Sequence, residues 1–458
     1  MDVNHRTNKR STLLVTTLGS FLTPFMGSSI NIALPAIGKE FAMNAVLLSW
    51  VTTSYLLTVG IFLVPFGKIA DIYGRKKLFS YGFVIYTLSS FLSAMATSPF
   101  FLIASRILQG IGASMTFGTG VAILMSVFPA EERGKVLGIN VAAVYLGLSC
   151  GPFLGGLLIH YFGWRTIFLV NVPFGLLIIF FTFWKLKGEW TEAGGEKFDF
   201  LGSILYSFIL VTIVYGFSLL PGIWGFFFIL LGILGVWAFV QWEVRSESPV
   251  FDIDLFRNNK VFAFSSLATM INFSATFAVS FLLSLYLQLI KGLSPHAAGM
   301  ILISQPIVQT IFSPFAGRLS DSIEPRMIAS TGMALTTVGL ALFVFLDEKT
   351  TISFIVVSLI LIGFGLALFA SPNTNAVMSS IEKKYYGVAS GILGTMRITG
   401  NMFSMGIVML IFSLHIGRAQ ITPLHYPLFI KSLKSVFIIF TALCLAGIFA
   451  SLPRGRVR

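Results

Sequence analysis

Apolar stretches of about membrane thickness follow one another along almost the whole chain, broken by short clusters of Gly, Pro and charged residues. About 20 apolar residues in a helix, rising 1.5 Å each, cross a hydrocarbon core of roughly 30 Å. With that window the pattern predicts fourteen helical spans, near 12–36, 47–70, 78–96, 99–124, 134–160, 166–186, 200–220, 223–242, 261–288, 296–317, 327–346, 351–379, 386–415 and 430–452. The expected fold class is an all-α membrane protein. The first stretch is too long for a signal-peptide core and lacks a small-residue cleavage pattern, so it reads as a retained span.

Composition agrees with this pattern. Of 458 residues, 56% are hydrophobic and 11% charged, against about a quarter charged in soluble proteins. The charge of +13 is mostly a topological signal. With both termini on one side, 22 of the 31 Lys and Arg gather there and 7 on the other, leaving Arg106 and Arg397 inside the membrane. Positive residues favour the cytoplasm, so both termini are expected there, in the cell membrane. The basic balance therefore calls for no nucleic-acid partner. No phosphate-binding loop of the G-x-x-x-x-G-K-[ST] type occurs. The five histidines have no metal-ligand spacing, and Cys150 and Cys444 sit in separate apolar segments. No cofactor, metal or enzymatic constellation is expected.

Two loops repeat one another. "GKIAD" at 67–71 and "GRLSD" at 317–321 each close the second span of a six-span set. The chain then divides into a six-helix bundle at 12–186, two extra central helices at 200–242 and a second six-helix bundle at 261–452. Duplicated membrane halves with a site between them are a transporter plan.

Several motifs carry a family resemblance. "GKIADIYGRKK" (67–77), "RILQGIGA" (106–113) and "GLSCGPFLGG" (147–156) resemble the signatures of the major facilitator superfamily. "WVTTSYLL" (50–57), "GWRTIFLVNVPFG" (163–175) and "FDFLGSIL" (198–205) look like its fourteen-span drug:proton antiporter branch. The resemblance implies a major facilitator fold of 14 transmembrane helices (6+2+6), alternating access and efflux of drug-like molecules. By position it implies a gating role for Gly67, Asp71, Gly74 and Arg75, with Arg133 as a partner and Asp321 in the second copy. Gly147, Gly151 and Gly155 recur every four residues, a smooth stripe for close helix approach, and Pro152 bends the helix beside it. The resemblance assigns that bend to gating between the halves.

The chain departs from the family at one telling place. Five residues before the Asn of "NIALP", relatives commonly carry an aspartate; here the residue is Met26. All 18 acidic residues fall in tails, loops or span ends. Proton antiport usually cycles a membrane carboxylate, so coupling to protons is left in question. The interior offers instead Arg106, Gln109, Asn31, Arg397, Gln288 and Gln305, with Met26, as substrate or coupling candidates, a lining suited to neutral or anionic amphiphiles. Arg106 lies seven residues past its helix start, about 10 Å deep. A central arginine is disfavoured by about 2.5–3.5 kcal/mol on insertion scales, and its partners must be carbonyls, amides, water or a bound anion.

The expected function is thus a secondary transporter, working as a monomer in the lipid bilayer and exporting small amphiphilic substrates, with protons as the candidate coupling ion. The alternatives are a lipid or organic-anion carrier, an uncoupled facilitator, and, less favoured, a non-transporting sensor.

Overall fold

The computed structural model describes residues 9–186, 188–191, 198–246, 253–381, 386–417 and 419–452. Outside them lie Arg6, Lys187, Lys197, Lys383, Lys384, Arg418, Arg454, Arg456 and Arg458, counted above for orientation. Asp2, His5, Glu192, Glu196, Glu247, Asp252 and Glu382 also lie outside the described residues.

Fourteen long helices run through the described residues. They are α1 (Lys9–Glu40), α2 (Ala45–Tyr73), α3 (Arg75–Ala94), α4 (Pro99–Val127), α5 (Ala130–Phe162), α6 (Thr166–Lys185), α7 (Phe200–Leu219) and α8 (Ile223–Glu243). After a short helix, Ile253–Asn258, come α9 (Lys260–Ile290), α10 (Pro295–Ser322), α11 (Pro325–Phe343), α12 (Ile352–Ser379), α13 (Tyr386–His415) and α14 (Tyr426–Ser451). By length and hydropathy, thirteen of these described helices are apolar enough to cross a membrane, one fewer than the fourteen expected. The exception is α3, the 78–96 segment. It opens with Arg75, Lys76 and Lys77 and carries Ser80, Thr87, Ser89, Ser90 and Ser93, all five buried, so its hydropathy falls although it is a full 20-residue helix.

Local chemistry sets the helix starts. Asn44, Ser98, Asp199, Asn259, Ser294 and Thr351 each accept a hydrogen bond from a backbone N–H three residues on. Such side chains satisfy N–H groups that have no partner inside the helix. Pro99 and Pro295 follow two of these caps, where a missing N–H costs nothing.

Many large apolar side chains face outward as well as filling the core, and small residues mark the closest helix contacts. In α8, Ile223, Trp224, Phe226, Leu230 and Trp237 are exposed, while Gly225, Gly232 and Gly235 are buried. A Cβ on Gly225 would meet Leu220 N at 2.7 Å and Gly216 O at 2.9 Å, so α7 and α8 touch backbone to backbone. Helices α1–α6 pack on one another, as do α9–α14, and α7 lies against both α2 and α13 over the seam between the two sets. Trp50 of α2 pairs with Tyr215 of α7 at 6.3 Å, and Ser413 Oγ of α13 donates to Leu220 O at the end of α7 at 2.7 Å.

Candidate functional site

The helices alternate in direction, so one face carries the start of α1 and the end of α14 (the terminus face). The opposite, distal face carries the loops at 41–44, 163–165, 291–294, 347–351 and 416–425. The described hydrogen bonds joining the two six-helix sets lie at mid-depth or towards the distal face. Ser149 and Thr310 hydroxyls meet at 3.2 Å near mid-depth. Further out, Ser284 Oγ donates to Asn31 O at 2.6 Å and Gln288 Nε2 to Ile32 O at 3.0 Å. At the rim, Gln420 Nε2 donates to Ala42 O at 2.8 Å, and Ala45 N approaches Ala419 O at 3.4 Å.

Glycines bring the sets together. A Cβ on Gly156 would fall on Pro295 O, and one on Gly299 on Pro152 O, so α5 and α10 meet backbone to backbone on the distal side. Pro152 therefore sits at the contact between sets. The stripe Gly147, Gly151 and Gly155 faces a different neighbour, α1: their Cβ positions fall on Phe21 O, on Ser28 with Phe25 O, and on Ser29. Ser29 Oγ donates to Gly151 O at 2.9 Å.

At the terminus face the gating candidates make the following contacts within their own set. Arg75 binds Asp71 through Nη2 (2.7 Å) and Nε (2.8 Å), and reaches Ser126 Oγ on α4 at 2.8 Å. Gly74 has φ +123°, a conformation that favours glycine, and a Cβ there would also strike the Glu189 carboxyl group. Glu189, from the segment after α6, caps α3 by accepting from Lys76 N (2.7 Å) and Lys77 N (3.2 Å). Gly67 has open space where a Cβ would stand. Arg133 Nε donates to Phe128 O at 3.1 Å. In the second copy, Asp321 accepts from Asn375 Nδ2 at 3.3 Å.

Arg106 is 1% exposed. Its guanidinium lies 4.3 Å from the Tyr55 ring centre, its Nε donates to Val51 O at 3.1 Å, and Nη1 donates to Gln109 Oε1. Gln109 Nε2 passes the chain on to Ser90 Oγ at 2.8 Å. Arg106 and Gln109 thus tie α2, α3 and α4 together. Met26 is also sealed, its sulfur accepting from Asn171 Nδ2 of α6 at 3.2 Å. Arg397 is half-buried on α13, 4.9 Å from the Phe273 ring centre, with Nε unpartnered. Asn31 Oδ1 and Gln305 Oε1 are likewise buried without a hydrogen bond, whereas Gln288 is engaged in the distal seam. Among the described contacts, Arg106 pairs with Gln109, and Gln288 sits beside Asn31 at the Ile32 carbonyl.

Two cavities flank this arrangement. A cleft of about 460 Å³ lies between α1, α3, α4 and α5 on the terminus-face side, with Thr16, Ser20, Thr23, Thr116 and Asn140 among its walls. Asn140 Nδ2 donates to Ser20 Oγ at 2.8 Å. An apolar groove of about 600 Å³ runs between α2, α4 and α7, bounded by Trp50, Leu57, Ile61, Phe62, Ile107 and Val211. The sequence reading missed Ser20, Asn140, Glu189, Ser284, Gln420, Gly156 and Gly299. Only Asn140, a polar residue within a span, gave a local signal. At the membrane edge, Glu243 is 3% exposed, and its carboxylate and that of Asp199 both crowd Gly202. No group of His, Cys, Asp and Glu able to hold a metal occurs among the described residues.

Comparison with known proteins places these features in a family. The family model of the Major Facilitator Superfamily matches residues 16–242 and 265–457. The chain is 32% identical over 388 residues to the riboflavin transporter RibZ of Clostridioides difficile (strain 630), covering 84% of each protein. It is 31% identical over 404 residues to the multidrug resistance protein Stp of Mycobacterium tuberculosis (strain CDC 1551 / Oshkosh), covering 87% of this chain and 74% of Stp. Among solved structures, the nucleoside transporter NupG matches with a TM-score of 0.66 at 13% identity, over 98% of this chain and all of that one, a likeness of fold alone. The chain belongs to the Major Facilitator Superfamily: it is a multi-pass membrane transporter, not an enzyme.

Proposed function

We propose that this major facilitator protein is a secondary transporter that exports small neutral or anionic amphiphiles by alternating access. The observation that carries the reading is the distal seam, where the two six-helix sets are bonded to each other through Ser284, Gln288 and Gln420. That is the arrangement expected of a carrier closed at its distal face. The Lys and Arg distribution favours a cytoplasmic place for the terminus face, and α3 serves as the fourteenth crossing. The protein works as a monomer in the cell membrane.

The substrate class follows from the lining. No acidic residue stands at mid-depth in any long helix, so a permanent cation finds no carboxylate to pair with, whereas Arg397 offers a half-buried guanidinium beside an aromatic ring. Efflux draws further support from the similarity to Stp. A second reading, a carrier of organic anions or an uncoupled facilitator, is favoured by the same missing carboxylate. Riboflavin, the cargo in the name of a relative, is the first compound to test. The deciding experiment is flux in proteoliposomes, with and without a pH gradient. Substrate movement accelerated by the gradient supports coupled efflux, gradient-independent movement supports the facilitator, and no movement of any amphiphile tried overturns the transport reading.

A further inference from the structure

Proline 35 stands near the distal end of α1, inside the helix. Proline has no N–H, so the carbonyl four residues earlier loses its intrahelical partner. That carbonyl belongs to Asn31. It is buried, and its described hydrogen bond comes from Ser284 Oγ of α9, in the other six-helix set, at 2.6 Å. Ser284 is itself fully buried and also accepts from Gln288 Nε2 at 3.0 Å. The same Gln288 nitrogen reaches Ile32 O at 3.0 Å. Gln288 lies in a π-helical turn, Tyr286–Ile290, that closes α9; such turns are rare and recur at functional sites.

We propose that Pro35, Ser284 and Gln288 form the distal gate of this transporter. Pro35 leaves a backbone acceptor on α1 without its usual helical donor, and Ser284 of the opposite set satisfies it, held in place by Gln288. The bonds exist only while the two sets are closed at the distal face. A buried carbonyl without a partner is unfavourable, so the arrangement biases the carrier towards the distal-closed state. Opening becomes accessible when water or substrate replaces the Ser284 hydroxyl. Gln420, at the rim, adds a second link in the same direction. The proposal rests on alternating access and adds to it the groups that set the balance between its states.

The test measures that balance in the full chain in lipid nanodiscs. Cys150 and Cys444 are replaced by serine, and spin labels are placed at Lys39→Cys and Lys349→Cys, exposed positions at the distal face on opposite sets. Ser284→Ala should raise the ratio of wide to narrow label distances about fivefold, the factor for one ordinary hydrogen bond. Pro35→Ala returns an N–H to the Asn31 carbonyl. In that background Ser284→Ala should shift the ratio less than about twofold, because two changes that remove one shared interaction are not additive. A merely structural role for Ser284 would give the same shift in both backgrounds, and that result, or no shift at all, overturns the proposal. If Ser284→Ala does not fold, half-buried Gln288→Leu reports the same gate, with the same widening expected. Gly299→Leu, which wedges a separate distal contact, serves as the reference. Widening there but not in the Ser284 or Gln288 variants rejects this gate and leaves alternating access standing; widening in none rejects both.

Discussion

Replacing Arg106 tests whether a buried guanidinium in this family member binds cargo or braces helices. The Arg106→Ala variant removes two charge-assisted hydrogen bonds, to Val51 O and Gln109 Oε1, and the stacking on Tyr55. Each such bond is worth about 1.5–3 kcal/mol, and a desolvated cation–π contact about 2 kcal/mol. Against that loss stands relief of about 2.5–3.5 kcal/mol from no longer holding a charge within the membrane. The balance is a destabilisation on the order of 3 kcal/mol, larger by whatever void the side chain leaves. Arg106→Met keeps the stem's volume and gains the same relief, and should be more stable than the alanine variant only by the void it avoids, because Val51 O and Gln109 Oε1 still lose their donor. Arg106→Lys keeps the charge but loses the planar fork that serves both acceptors, so it should be less stable than the methionine variant. Unfolding in graded SDS, read by tryptophan fluorescence, gives the stabilities. Ligand binding by the folded fraction gives the second axis, and it should stay at the parent's level in all three, because Arg106 is 1% exposed. An alanine variant as stable as the parent that has lost binding would refute the bracing role and place the guanidinium on the substrate.

Four further outcomes follow. Asp71→Asn should insert and fold yet transport several-fold more slowly, because the Arg75 guanidinium, whose side chain is 7% exposed, loses its charged partner; equal flux would dismiss the gating assignment. Gly151→Leu should abolish flux by driving α5 off Ser28 and the Phe25 carbonyl of α1, overpacking that costs about 1–3 kcal/mol or more; a normal rate would show that α5 can shift without consequence. Glu189→Gln weakens a charged cap on α3, worth about 0.3–1 kcal/mol at a helix N-terminus, and should lower the unfolding midpoint slightly without changing substrate affinity, checked by the same SDS titration. In the distal loop, the hydrogen bond from Thr350 holds the Asp347 carboxyl below its ordinary value. Its folded pKa is depressed, so its stabilisation is complete above the ordinary carboxyl range and lost only as pH falls through the lowered value. The parent should therefore exceed Asp347→Asn in thermal stability by a constant amount as pH moves from 8 to 6, and the difference should narrow only in acid.

Hydropathy determined the class of this protein and the places where helices cross, and the identities of a few Gly, Pro and charged residues supplied the short motifs that mark its family. These are local properties: about 20 apolar residues cannot avoid the bilayer, and every backbone group inside it must bond within its own helix. The signal was weakest at α3, whose serines and basic start are polar until α4 and α6 cover them. The fate of each polar side chain was not local. Arg106 was legible as a charge in need of a partner, but its partners Val51 and Tyr55 lie on another helix some fifty residues away. Gln288 read as cargo-binding and stands in the distal seam; Ser284, its neighbour one turn earlier, gave no signal, because its acceptor is a carbonyl 253 residues distant. The glycine stripe was legible as a close helix contact, while only the fold decided that Gly147, Gly151 and Gly155 meet α1 and that Gly156, one position on, meets the opposite set. A helix face is written in sequence by its period. What that face touches depends on how all the helices pack, which no single segment encodes.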